Sequence, residues 1–510
     1  MGDDFGVAPS STSEGRARTP MTSSSDSRSR TVYRVGSLAG STRSRAVRTG
    51  TDSGSDPKVN GGTTSGTGSG PNGTNGSRSS RNGAGDHRRA RESGLHLPSW
   101  SRHRRYVNAR KARRRDVRMA RRTPWGRHPV AACTFAVVLL LAPVWLSFGS
   151  AVTNPALGYS TSARVAEWSR DHGFSGVINW VENIYYSHHQ PRVGGQPGAG
   201  AVPTTGPNVA SPANRHGGLP LPASLKPFPA TALAGEGKWV PAGRLVNGVP
   251  AIYTTFMRPD AIHTSVVDGV AWMDTRLLAA TLYSGSYIPG GGPYTHTAPI
   301  QPSAATSLVA AFNAGFRLQD SQGGYYTEGK VIAPLVNGAA SLVIYRDGSS
   351  ALGAWGREVH MAPNVVSVRQ NLSLLVDSGH AVPGIATNQK SQWGTVLGNS
   401  DYVARSALGV TANGALVYVG GPNLNAVDLA SLLVRAGAVR GMELDINADW
   451  VNYSIYKPAT ATGQATPANG TGLLPPVDMS PPYADRYFLG YWARDFITMS
   501  AKPAAPSTGG

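Results

Sequence analysis

One cysteine in 510 residues, Cys133, excludes an intramolecular disulfide framework and any cysteine-built zinc site. Histidine offers no metal site either, since His263, His296, His360 and His380 lack an H-x-x-x-H spacing and His188 and His189 stand beside a Pro/Gly-rich stretch. The Gly290-Gly291-Gly292 run lacks the Lys and following helix of a phosphate-cradling loop, so nucleotide binding is not expected. No Gly-x-Ser-x-Gly nucleophile motif stands out. Residues 1 to 97 hold scarcely any aromatic or branched apolar side chains, and such a composition cannot bury enough surface to offset the entropy of ordering. Acidic residues are scarce at the same end. Residues 1 to 128 contain 26 Lys and Arg against 9 Asp and Glu, whereas the remaining 382 are nearly balanced at 22 against 20. The net charge of +19 therefore belongs to a tail, and a globular nucleic-acid-binding domain is disfavoured.

What is present is a long apolar run. Val130 to Val152 spans 23 residues without a charge, and the next charged side chain is Arg164. About 20 such residues are needed to cross a bilayer as a helix. Lys111, Arg113, Arg114, Arg115, Arg118, Arg121 and Arg122 lie just before it, so the positive-inside rule puts the N-terminal side in the cytoplasm and the C-terminal side outside. A cleaved signal peptide begins within the first 15 to 30 residues, whereas this run follows 128. The expected organisation is a disordered basic cytoplasmic tail over 1–128, a transmembrane helix over 129–152 and a juxtamembrane helical segment over 153–189. A Pro/Gly-rich linker over 190–234, one domain over 235–499 and a disordered tail over 500–510 complete it.

Within the domain the signals are mainly β. Ala251 to Met257, His263 to Met273, Leu277 to Tyr283 and Ser341 to Tyr345 are strand-like. Asn413-Gly414 marks a hairpin between Ser406 to Thr411 and Ala415 to Val419. Two helices are expected, over Ser303 to Phe312 and over Asn425 to Arg435, the second with Asn425 as N-cap and Leu429, Leu432 and Leu433 at helical spacing. With Gly441 to Ile446 as the next strand, this gives a βαβ unit in a mixed β-sheet, hence a mixed α/β (α+β) fold.

The segment Gly441 to Asn452, GMELDINADWVN, holds the chemistry. On a strand, Met442, Leu444 and Ile446 point one way and Glu443 and Asp445 the other, with Cα atoms of the two acids about 6.6 to 6.8 Å apart. Neighbouring carboxylates push one pKa up, which supplies an acid and a base near neutral pH. Asp445, Asn447 and Asp449 have the alternate-position oxygens of a calcium loop. Trp450 stands where that loop needs Gly and Tyr456 where it needs Glu, so an EF-hand is excluded; no cofactor is expected, with a looser divalent-cation site at Asp445, Asn447 and Asp449 as the lesser alternative.

The stretch Arg405 to Asp445, with Ala311 to Phe316 (AFNAGF) and Leu374 to Gly379 (LLVDSG) before it, resembles the core of the phosphodiester glycosidases. The resemblance runs over roughly Val249 to Trp450. It implies that Arg405, Asn313 and Asp445 occupy functional positions. Glu443 stands where that family has Asn, and Ile446-Asn447-Ala448 replaces a Gly-rich turn, so either the substrate differs or the chemistry has been lost.

On this reading Asp445 and Glu443 are the catalytic carboxylates of the two-carboxylate scheme. Arg405 takes the phosphate through its planar fork of donors, and Asn313, Asn447 and His380 complete the substrate-binding set. The expected function is hydrolysis of a sugar phosphodiester or related glycosidic bond of the cell envelope, with a carbohydrate or sugar-phosphate substrate, the membrane as the other partner and no nucleic acid. The alternative is a non-catalytic envelope protein that binds a polysaccharide or scaffolds its synthesis. Geometry separates the two: a hydrolase brings Asn313, Arg405, Glu443 and Asp445 to one concave pocket, whereas a binder or scaffold allows Arg405 to be buried in a structural ion pair with no cavity beside it.

Overall fold

The computed structural model describes residues 100–120, 128–158, 160–203, 217–387, 392–394, 402–475, 486–490 and 494–504, all within the compact unit Ser99–Gly510. The tail expected over 1–97 lies outside the described residues. Helix α1 (Trp100–Ala120) falls inside the segment the sequence assigns to a disordered tail. Its Arg, Lys, Ala and Met are good helix formers, and neither Gly nor Pro interrupts the run.

Helix α2 (Pro129–Thr153) is long and apolar enough to cross a membrane, and its most apolar window is not buried in the rest of the molecule. The chain then doubles back through α3 (Thr161–Asp171) and α4 (Ser175–His188). Ser160 Oγ accepts from Ala163 N at 3.0 Å to cap α3. Arg164 closes the end of α2, donating Nη1 to Val152 O at 3.0 Å and Nε to Gly158 O at 2.8 Å. Trp168 fixes the return, with Nε1 on Ser147 Oγ at 3.0 Å and its ring edge-on to Phe148 at 5.0 Å.

The strands are β1 (Val240–Val246), β2 (Val249–Met257), β3 (Asp268–Met273), β4 (Leu278–Tyr283), β5 (Leu308–Asn313), β6 (Tyr325–Thr327), β7 (Lys330–Ala333), β8 (Ala340–Tyr345) and β9 (Ser350–Ala354). They continue with β10 (Val365–Gln370), β11 (Leu374–Asp377), β12 (His380–Ala381), β13 (Val403–Thr411), β14 (Leu416–Leu424), β15 (Ala438–Asp445), β16 (Tyr453–Tyr456), β17 (Gly470–Gly472) and β18 (Phe496–Ala501). Helices α5 (Pro302–Ala305) and α6 (Leu318–Ser321) are single turns, and α7 (Ala426–Arg435) is longer. One sheet runs β1-β2-β3-β14-β13-β15-β11-β12, a second β7-β6-β10-β8-β9 and a third β17-β16-β5-β18-β4.

The mixed α/β class holds. The paired strands are antiparallel throughout. Because β14 and β15 both run opposite to β13, which lies between them, β14-α7-β15 is a split βαβ unit. Asn425 caps α7 as its sequence position requires, Oδ1 accepting from Asp428 N at 2.7 Å. Gly414 supplies the positive φ, 88°, that the hairpin turn after Asn413 demands.

The helix expected over Ser303 to Phe312 is corrected: it stops at Ala305, and Leu308 to Asn313 is strand β5. Every residue of β5 is buried, between β16 and β18, and a continuous apolar run of this length has no periodicity to distinguish strand from helix. The three sheets enclose one core, in which Met273, Leu408 and Met442 of the large sheet meet Leu282 and Phe312 of the third and Leu342 and Leu352 of the second. On the outer face of the large sheet, Leu429, Leu432 and Leu433 of α7 pack on Trp272, Leu375, Ala407, Val417 and Val419. The carboxyl end of β15 is held by β13 on one side, where Ser406 lies opposite Asp445, and on the other by Asn371, whose Nδ2 donates to Glu443 O and Leu444 O.

Candidate functional site

Alternation along β15 puts Met442 and Leu444 into the core and turns Glu443 and Asp445 to the opposite face. Both acids are almost wholly buried, yet their surroundings differ. Arg405 donates Nη1 to Glu443 Oε1 at 2.5 Å and to Trp393 O at 3.2 Å, and Nε to Leu424 O at 2.9 Å. Burial pushes the Glu443 carboxyl up to about 7, against the pull of the Arg405 charge and with a smaller push from Asp445. Asp445 ends the strand. Its Oδ2 accepts from Arg494 Nη1 at 2.9 Å and its Oδ1 from Asn447 N at 3.0 Å. Burial raises this carboxyl to about 6, with the Arg494 charge opposing the rise.

A cavity of about 340 Å³ opens beside Asp445. The domain side supplies Phe316, Arg317, Asp320, Val403, Asp445, Asn447 and Arg494, and the facing wall is made by Glu167 and Arg170 of α3 and Ser175, Asn179, Glu182 and Tyr186 of α4. Glu167 bridges two guanidinium groups, with Oε1 on Arg494 Nη2 at 3.1 Å and Oε2 on Arg317 Nη1 at 2.9 Å. Arg317 also donates Nε to Asp320 at 2.7 Å, and Arg494 stacks over Trp450 at 4.2 Å. The result is a cavity wall on which two guanidinium groups converge on one carboxylate, Glu167, with Asp320 and Asp445 as their other partners.

The residues singled out in the sequence are thus divided. Asp445 and Asn447 line the cavity; Asn313, Arg405, Glu443 and His380 are not among its lining residues. Asn313 joins two sheets, donating Nδ2 to Ser406 Oγ at 3.0 Å and accepting from Tyr418 Oη at 2.9 Å and Asn452 N at 3.2 Å. Ser406 Oγ in turn accepts from Asp445 N at 3.3 Å, so Asn313 and Ser406 support Asp445 from behind. Arg405 and Glu443 form a buried ion pair. His380 is exposed on edge strand β12, with Nδ1 2.9 Å from Ser378 O.

The calcium-like spacing has a local explanation. Asn447 N bonds Asp445 Oδ1 and Asp449 N bonds Asn447 Oδ1 at 2.9 Å, two successive side-chain turns that use these oxygens within the loop. Among the described residues no group of three His, Cys, Asp or Glu is placed to hold a metal ion.

Sequence reasoning missed Glu167, Arg317 and Arg494, which lie on three segments far apart in the chain. Arg317 directly follows the AFNAGF segment, the one signal available. That segment is pinned by Arg369, which donates Nε to Asp495 at 2.6 Å and reaches Phe316 O. Gly315 permits the approach, since a Cβ there would come within 2.9 Å of the Arg369 guanidinium.

Residues 306–445 match the family model of the phosphodiester glycosidases. No curated protein matches the chain. Among solved structures, the chain is similar to the zebrafish N-acetylglucosamine-1-phosphodiester alpha-N-acetylglucosaminidase catalytic domain, auto-inhibited by its pro-peptide, at 16% identity and a TM-score of 0.32, covering 51% of this chain and 87% of that one. A hypothetical protein from Synechocystis is 11% identical, with a TM-score of 0.27 and coverage of 52% and 64%. A putative exported protein from Burkholderia pseudomallei is 11% identical, with a TM-score of 0.26 and coverage of 46% and 74%.

Proposed function

We propose that the chain is a membrane-anchored, extracytoplasmic hydrolase that cleaves a sugar phosphodiester or a related glycosidic bond of the cell envelope. The phosphodiester glycosidase match over 306–445 supports the reaction class. The observation that carries the assignment of roles is the pair Arg317 and Arg494 converging on one carboxylate beside Asp445. In this reading the two guanidinium groups hold the phosphodiester oxygens, a match of planar donors to tetrahedral oxyanion. Asp445, with its pKa raised to about 6, carries the proton that the departing oxygen takes up. Glu182 and Asp320 are the further cavity carboxylates for the opposing base or nucleophile. Glu167 must leave its seat for the phosphate to enter.

The anchor is α2, with basic α1 on the cytoplasmic side. External protease on intact cells should then remove the domain and spare the N-terminal tail; protection of the domain would sink this topology.

A second reading, a non-catalytic polysaccharide binder or scaffold, is favoured by Arg405, which is spent on Glu443 away from the cavity. The full chain in detergent, incubated with a panel of hexosyl phosphodiesters, decides between them. Sugar release that Asp445→Asn abolishes supports the hydrolase, whereas binding without release supports the scaffold.

A further inference from the structure

Helix α4 is amphipathic with its faces the wrong way round for a soluble protein. Ser175, Asn179, Glu182 and Tyr186, at spacings of four, three and four residues, form one polar stripe, and that stripe faces inward on the cavity. The opposite stripe, Val177, Trp180, Val181, Ile184 and Tyr185, continues from Phe174 and points outward, each of these residues between 43% and 57% exposed except Trp180 at 63%. No charged residue belongs to this stripe. Trp and Tyr with branched apolar residues are the composition that settles at a membrane–water boundary, apolar ring inward and polar edge outward.

The position of α4 identifies what covers the stripe. Trp168 and His172 on α3 both contact Ser147, so α3 lies back along the last turns of α2 and does not project beyond it. Six residues separate Ser147 from Thr153, so this contact is about 9 Å below the end of α2 at about 1.5 Å per residue. The 25 residues of α2 span about 38 Å against about 30 Å of hydrocarbon, so its ends extend about 4 Å past the core on each side. The α3–α2 contact therefore sits within the outer few ångströms of the apolar layer, and α4 begins three residues after His172.

We infer that α4 is an interfacial helix, lying in the plane of the bilayer that α2 crosses, with its Phe174–Val177–Trp180–Ile184 stripe in the headgroup–acyl boundary and its polar stripe roofing the cavity. The inference rests on the anchor reading of α2. Its consequence is that the cavity is held at the membrane surface, where it meets substrates that are themselves membrane-borne.

The test uses the full chain with Cys133→Ser, which leaves no other cysteine, and one new cysteine at a time: Leu140→Cys in α2, Trp180→Cys in α4 and Val331→Cys on exposed β7. Each is labelled with an environment-sensitive fluorophore and reconstituted in phosphatidylethanolamine/phosphatidylglycerol vesicles. The expected result is quenching of 140 by nitroxides at the middle of the acyl chain, of 180 by nitroxides near the headgroup, and of 331 by aqueous iodide. Iodide quenching at 180 with lipid quenching at 140 overturns the interfacial helix and leaves the anchor standing. Iodide quenching at both removes the anchor and the inference with it. Protection of 180 from both quenchers assigns the stripe to a second copy of the chain and overturns the membrane contact.

Discussion

Glu167 and Arg494 meet at 3.1 Å although 327 residues separate them in the chain. The contact ties a helix that directly follows the apolar span to the residue pair that opens β18, and through Arg494 it ends on Asp445. A buried carboxylate between two arginines is held strongly because its charge-assisted bonds work in a low local dielectric.

Removing that carboxylate opens one donor of each guanidinium group to an anion, while Arg317 keeps Asp320 and Arg494 keeps Asp445. Glu167→Ala is expected to destabilise the protein by about 1.5–3 kcal/mol, the scale of hydrogen bonds to charged groups. Inorganic phosphate should then raise the melting temperature of Glu167→Ala while leaving that of the unmodified protein nearly unchanged, because only the variant offers an empty seat. Thermal unfolding with phosphate against an equal ionic strength of chloride is the measurement. An equal response in both proteins would show that Arg317 and Arg494 form no anion seat.

Which parts of this were legible beforehand follows from the range over which each signal acts. The Asn413-Gly414 turn and the Asn425 cap are decided by neighbours within a few residues, and both are read from the sequence. The inward and outward alternation of β15 is also local, which is why Asp445 could be singled out. The partner of each acid is not local: Arg405 is spent on Glu443, and Arg494, near the C-terminus, takes Asp445. Nothing in the run around Glu167 marks it, because its role exists only once α3 folds back onto the domain. Leu308 to Phe312 failed for a different reason, since its burial on both sides erases the periodicity that separates strand from helix.

The two acids of β15 should separate kinetically. Asp445→Asn removes the only carboxylate of the pair that lines the cavity and is expected to lower sugar release by about 100-fold or more, the lower end of general acid–base contributions. Glu443→Gln keeps an acceptor for Arg405 and changes nothing on the cavity wall, so its effect on turnover should stay within a few-fold. Measuring kcat for both variants on the same substrate tests the assignment. A loss in Glu443→Gln as large as in Asp445→Asn would return Glu443 to the catalytic pair.

Stability should fall as pH rises through the weakly acidic range. Burial raises Asp445 from 3.8 to about 6 and Glu443 from 4.5 to about 7, so between these values the folded protein holds protons that the unfolded chain has released. The slope of unfolding free energy with pH is then negative. The contribution is complete below the unfolded values and gone above the folded ones. Glu443→Gln should flatten the part between pH 4.5 and about 7, and melting temperatures across that window provide the check. An unchanged slope would mean that Glu443 does not titrate there.

The Arg405–Glu443 pair offers the sharpest structural test, because breaking a buried ion pair differs from replacing it. Arg405→Met strands a carboxylate whose Oε2 has no hydrogen-bond partner among the described residues, and losses on this scale are about 3–5 kcal/mol. Glu443 can escape part of that cost by taking up a proton, so the loss should be smaller at pH 5 than at pH 8. The double change Arg405→Met with Glu443→Leu removes both charges, and it should recover most of the lost stability at pH 8 and leave only the pH dependence that Asp445 carries. Urea unfolding at both pH values measures all four proteins of the cycle. If the double variant is as unstable as Arg405→Met alone, the guanidinium matters through Leu424 O and Trp393 O instead, as the clasp joining β13 to β14 and to the segment before it.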